Sequence, residues 1–271
     1  MRDIALQTAA SSAHPLHALR EYLQNELLGL LAETGAAKSL YFVGGTALRF
    51  LYRIPRFSED LDFCAAPGRR HSSFGAEMEK IGAKLELEGY EVGVHVNDDR
   101  IVQRAEFRFS GLLSALRLAA RAGQKLSIAV EVDVRPPAGW SGERTIVNIF
   151  RPILVQHYDL RSLFTTKIAA LLTRPYSKGR DFYDLFWYLS RWSDLSPAQT
   201  LLKNALAQKP GAFALFAPEA WRAALESVVA TVNWTTIVRD VAPFLERADD
   251  IRIFTRENLL RLLRTARPGS E

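Results

Sequence analysis

The chain has 271 residues, of which 48% are hydrophobic and 24% charged, a balance that suits a sizeable folded core and argues against long disordered stretches. A single cysteine, Cys64, excludes an intramolecular disulfide and a cysteine zinc cluster. The formal charge of +5 leans weakly towards a polyanionic substrate or partner, such as RNA or a nucleotide.

In chain order, the opening MRDIALQTAA lacks the basic and apolar segments of a signal peptide. Apolar runs such as residues 27–32 are too short to cross a bilayer, so the chain reads as a cytoplasmic protein with no membrane association. Leucines at helical spacing within residues 14–38 predict an amphipathic helix ending near Gly35. Residues 39–43 form a short apolar run before a glycine pair, read as a buried strand and a tight turn. A helix over residues 46–52 follows at once. Leu61 and Phe63 alternate with Asp60 and Asp62, the period of a strand. Residues 71–88 read as a helix. Residues 90–96, 104–109 and 126–134 alternate as three further strands, and residues 112–121 between the last two read as helical.

After Pro152 the texture becomes helical: residues 159–173, 180–192, 197–208, 218–232, 235–247 and 256–266 favour helices punctuated by Pro or Gly. The fold class expected is α+β. A mixed α+β domain spans residues 1–152, and a helical domain spans residues 153–271.

The chemistry concentrates in Val43-Gly44-Gly45-Thr46 and, thirteen residues on, Asp60-Leu61-Asp62-Phe63. A glycine pair after a strand lets backbone N–H groups approach a phosphate without a Cβ in the way. The helix that follows turns its positive end to the same anion, and Thr46 adds a hydroxyl. Two carboxylates two residues apart on a strand project from one side. Such a pair of hard oxygen ligands suits Mg²⁺ or Mn²⁺, which draws the rest of its shell from water and substrate phosphates. Ser58 stands just upstream as a supporting group. Glu131 and Asp133 share one face of a later strand, and either supplies a third carboxylate for the metal or for deprotonating an acceptor hydroxyl. Lys167, Arg174, Lys178 and Arg180 suit a triphosphate, lysine as a point charge and arginine as a fork. Asp181 and Asp184 fall in the first turn of their helix, where the dipole favours a carboxylate.

Together these residues resemble the AbiEii/AbiGii toxin family, a branch of the DNA polymerase β-like nucleotidyltransferases. The resemblance is carried by Gly44-Gly45-Thr46, by Asp60 and Asp62 within Arg56-Phe57-Ser58-Glu59-Asp60-Leu61-Asp62-Phe63, by Glu131 to Arg135, and by Lys167 and Asp181 ahead of Asp184-Leu185. It covers about residues 38–192. It implies a polymerase-β-like catalytic domain and the toxin of a toxin–antitoxin pair, with a cognate antitoxin protein as partner. It also implies an NTP co-substrate with Mg²⁺, and transfer of a nucleotide to an RNA acceptor, foremost the 3′ end of tRNA. The same core on a small molecule or a protein acceptor, or a non-catalytic RNA- or protein-binding module, are the alternative readings.

Overall fold

The computed structural model describes the chain apart from residues 69–72, 175, 209–216 and 266–271. The start of the helix expected over residues 71–88, Pro175 in the expected break, and the last residue of the helix expected over residues 256–266 therefore lie outside the described residues.

Seven strands form one mixed sheet: β1 (Leu40–Val43), β2 (Leu61–Ala65), β3 (Val92–Asn97), β4 (Val102–Phe109), β5 (Leu126–Asp133), β6 (Gly142–Asn148) and β7 (Pro152–Tyr158). Their spatial order is β3-β4-β5-β2-β1-β7-β6. Strand β2 is antiparallel to β1 and parallel to β5, while β4 is antiparallel to both β3 and β5. Alternation gives this sheet two unlike faces. Register lines up Leu61, Val130 and Ala105, all fully buried. Helix α4 (Phe74–Leu87) covers that apolar side. Gly82 makes the approach possible, because a Cβ there would lie 2.5 Å from a methyl of Val94, the register partner of Phe107. Helix α2 (Pro15–Glu33) packs against α4 and β5, and α1 (Arg2–Ala10) packs along α2.

The chain divides into two compact units. The first comprises Met1–Arg53, Phe57–Pro136 and Glu143–His157; the second comprises Ile54–Arg56, Pro137–Gly142 and Tyr158–Glu271. The first unit also holds α3 (Gly44–Tyr52) and the short α5 (Leu112–Ala115). The helix expected over residues 112–121 ends at Ala115, and Arg117 takes a left-handed φ of 57° that an α-helix cannot accommodate.

The second unit is helical: α6 (Leu160–Thr173), α7 (Gly179–Arg191), α8 (Gln199–Ala207), α9 (Trp221–Thr231), α10 (Trp234–Val241) and α11 (Arg256–Thr265). Helix α6 packs on α7, α8 and α9, and α10 and α11 close around α7 and α9. Phe164 lies edge-on to Trp221 in this core. The Asp159 carboxylate caps α6 by accepting the Ser162 N–H at 2.7 Å. Helix α10 stops short of the expected residue 247 because Pro243 cannot continue it, and a 3₁₀ turn over Ala242–Phe244 takes its place. The segment Ile54–Arg56 is sewn into this unit by a bridge between Arg56 and Leu245 and by the Glu246 N–H donating to the Pro55 carbonyl at 3.2 Å.

Candidate active site

In the first unit, β1 ends at Val43 and the chain turns into α3 at Gly44, whose φ is 78°. The antiparallel pairing sets Val43 opposite Asp62. A Cβ added to Gly44 would stand 2.1 Å from Asp62 Oδ2. Only glycine therefore allows both the left-handed turn and the contact between the bend and the carboxylate. Gly45 is buried, and Thr46 is fully buried behind it. The Thr46 hydroxyl donates to the carbonyl oxygen of Asp60. It ties the first turn of α3 to the residue that leads into β2.

Asp60 precedes β2 rather than lying within it. Its Oδ1 accepts the Ala129 N–H of β5 at 3.2 Å, so this carboxylate leans along the sheet towards β5. Burial raises its pKa above the ordinary aspartate value; the Ala129 N–H opposes the shift and the charge of Glu131 adds to it. Ser58, expected to support the carboxylates, offers its carbonyl to the buried Gln24 side chain at 3.3 Å.

Register across β2, β5 and β4 sets Asp62 beside Glu131 and Glu131 beside Arg104. Side chains at paired positions share a face, and Glu131 and Arg104 form an ion pair there. Asp133 lies one step further along, in register with Cys64. Its Oδ1 accepts the N–H of Arg135 at 2.9 Å. Among the described residues no three carboxylate, histidine or cysteine groups gather into a ready-made metal cluster. What is present is the Asp62 carboxylate beside the glycine bend, with Glu131 as its register neighbour and Asp60 turned towards β5. That donor set fits a Mg²⁺ ion that keeps several waters and borrows phosphate oxygens, and not a closed all-protein cage.

The second unit brings together Lys167, Arg174, Asp181 and Asp184, with one residue that composition and spacing did not single out as a site residue, Arg56. Arg56 is 1% exposed and grips Asp184 with both arms of its fork, Nε to Oδ1 and Nη2 to Oδ2, each at 2.6 Å. The Lys167 ammonium donates to Asp181 Oδ1 at 2.8 Å and lies 2.8 Å from Asp184 Oδ2. Arg174 completes the chain by donating to Asp181 Oδ2. Burial works against the charge on Lys167, but Asp181 and Asp184 outweigh it and lift its pKa. Burial likewise raises Asp181, yet Lys167 and Arg174 prevail and hold it below the usual carboxylate range. The Arg180 guanidinium lies 4.2 Å from the centre of the Phe244 ring.

Arg56 carries a signal in retrospect: an arginine between Ile54-Pro55 and Phe57 sits among apolar neighbours, and a charged residue buried that way needs a partner. That partner lies 128 positions away, beyond the reach of any local pattern.

The profile of the family described as "Nucleotidyl transferase AbiEii toxin, Type IV TA system" matches residues 26–255. Two solved structures from Helicobacter pylori share the fold. One is described as a "putative nucleotidyltransferase", with 16% identity, 90% of this chain and 91% of that chain covered, and a TM-score of 0.54. The other, JHP933, has 16% identity, coverage of 91% and 90%, and a TM-score of 0.55. No curated protein matches the chain. With the profile running from the middle of α2 to the threshold of α11, through the glycine bend, the acidic strand and the buried charge network, the chain belongs to the nucleotidyl transferase AbiEii toxin family of type IV toxin–antitoxin systems.

Proposed function

We propose that this toxin transfers a nucleoside monophosphate from an NTP to an RNA acceptor, foremost the 3′ end of tRNA, and so blocks translation and growth. The observation that carries the reading is the contact of the Gly44 bend with the Asp62 carboxylate, which brings a phosphate-compatible backbone against a metal-compatible oxygen. Asp60 and Asp62 would hold Mg²⁺ or Mn²⁺, with Glu131 as the third carboxylate, favoured over Asp133 because it is the register partner of Asp62. The ion, when bound, would polarise the polyphosphate and offset the charge that builds on the departing pyrophosphate.

In the transfer, the acceptor hydroxyl oxygen bonds to the α-phosphorus while the bond to the oxygen bridging the α- and β-phosphates breaks. Pyrophosphate leaves, and the hydroxyl proton passes to a carboxylate of the acidic row or to water. Gly44 keeps the backbone at the bend open to the triphosphate. The bonding of Asp181 to both Lys167 and Arg174 supports a part in orienting these cations. A cognate antitoxin protein and the cytoplasm complete the expected setting. Among the described residues no helix is long and apolar enough to cross a membrane.

The test is an incubation of purified protein with each α-labelled NTP, Mg²⁺ or Mn²⁺, and three acceptor pools: total tRNA, protein and small hydroxylated compounds. Label on tRNA with the native chain, absent with Asp62→Asn, is expected. Label on a small compound alone would refute the RNA acceptor. Failure to release pyrophosphate from any NTP would refute the transferase.

A further inference from the structure

In the buried charge network of the second unit, Arg56, Lys167 and Arg174 face two carboxylates, Asp181 and Asp184. Both oxygens of each carboxylate meet a cation. The network reaches the surface at Arg174, whose side chain is 37% exposed against 12% for Lys167 and 2% for Arg56. Arg174 opens onto a cleft of about 140 Å³ between the end of α6, the start of α7 and α9.

The lining has two parts. Leu171, Phe182 and Val228 make an apolar floor, and Arg174, Lys178 and Tyr176 stand at the rim. Tyr176 is 60% exposed, unusual for a large aromatic ring beside an apolar hollow. The Lys178 ammonium lies 6.0 Å from its ring centre. The positive end of α7 is already engaged, since the Gly179 N–H donates to Asp240 Oδ2 at 2.6 Å. The pull on an anion therefore comes from the two side-chain cations.

We propose that this cleft binds one nucleoside phosphate unit, with its phosphate on Arg174 and Lys178 and its base against Tyr176 and the apolar floor. A cleft this size is well under the roughly 300 Å³ of a pocket that encloses a drug-sized ligand. It takes one ring system and leaves a triphosphate tail outside. The chemistry is that of single-strand recognition, an aromatic platform with cations tracking the phosphate. The unit comes from a free NTP or from one residue of an RNA strand. The ligand class rests on the nucleotidyl-transfer reading, but the cleft lies in the second unit and does not use the carboxylates of the first.

Calorimetric titration in EDTA separates the two, because the carboxylate site needs a divalent ion and this cleft does not. The native chain is expected to bind ATP, or a short oligoadenylate if RNA is the source, more tightly than either adenosine or tripolyphosphate alone. Tyr176→Ala should weaken that binding about tenfold and Lys178→Ala by a similar factor. Lys203→Ala on α8, away from the cleft, should leave it unchanged. Equal binding by the native chain, Tyr176→Ala and Lys178→Ala would overturn the cleft while leaving the transfer reading intact, and so would the absence of metal-free binding to every probe. Binding that depends on Tyr176, in a protein that transfers no nucleotide, would uphold the cleft and sink the transfer reading.

Discussion

The two charged clusters of this molecule answer opposite needs. On the polar face of the sheet, register sets Asp62 beside Glu131 and Glu131 beside Arg104, its ion-pair partner. Within the helical unit, Arg56, Lys167 and Arg174 enclose Asp181 and Asp184. Asp60 is held above its usual pKa mainly by burial, whereas Asp181 is held below its own because Lys167 and Arg174 overcome burial. In the proposed function the first cluster takes an added cation, whereas in the second both oxygens of each carboxylate already meet one.

Substitutions can break or sharpen this contrast. The largest effect is expected from Asp62→Asn, which keeps the shape at Gly44 but removes the charge. Transfer should fall by roughly a thousandfold or more, with thermal unfolding unchanged or shifted upward because like charges are relieved. A Tm that drops together with activity would assign Asp62 a structural role.

Arg56→Ala should do the reverse. It leaves the buried Asp184 carboxylate with Lys167 and without its two-armed partner, and should cost about 3–5 kcal/mol in urea unfolding. The double replacement Arg56→Met with Asp184→Leu should recover most of that loss, since an apolar pair of similar volume needs no desolvation. If the single variant unfolds like the native chain, the clasp contributes nothing to the fold.

Gly44→Ala should be milder in stability, about 1–2 kcal/mol for a left-handed residue with a side chain, yet it should impair transfer because its methyl displaces the Asp62 carboxylate. Unchanged kinetics would show that the contact is not needed.

The smallest effect concerns acid. With the Asp181 pKa lowered in the folded state, its contribution to stability is complete above the unfolded aspartate value of about 3.9 and is lost as pH falls through the lower folded value. The native chain should therefore lose stability below about pH 4, and Asp181→Asn should lose less over that window. Identical acid limbs for the two proteins would contradict the cation cage around Asp181.

What was legible beforehand was local. The glycine bend lies at the end of β1 and the Asp60–Asp62 pair at the start of β2, with α3 between them, and alternation in β4 and β5 marks both strands and their polar face. Strand β6 escaped notice because most of its residues are exposed, so no apolar alternation marks it. Helix α1 escaped too, since Ala5 and Ala9 are its buried residues and they make a faint stripe. The expected helix beyond Ala115 failed on a single backbone angle at Arg117. The clasp between Arg56 and Asp184 could not be read from spacing, because folding alone brings such distant positions together. Neither was it evident that Thr46 would spend its hydroxyl on the Asp60 carbonyl.

The most direct measurement is Mn²⁺ binding by electron paramagnetic resonance, made with a non-hydrolysable NTP analogue on the native chain and on Asp62→Asn. A metal site that includes Asp62 predicts tight binding by the native chain and at least a tenfold loss in the variant. Equal Mn²⁺ affinity in the two proteins would mean that the acidic strand is not where the ion and the nucleotide meet.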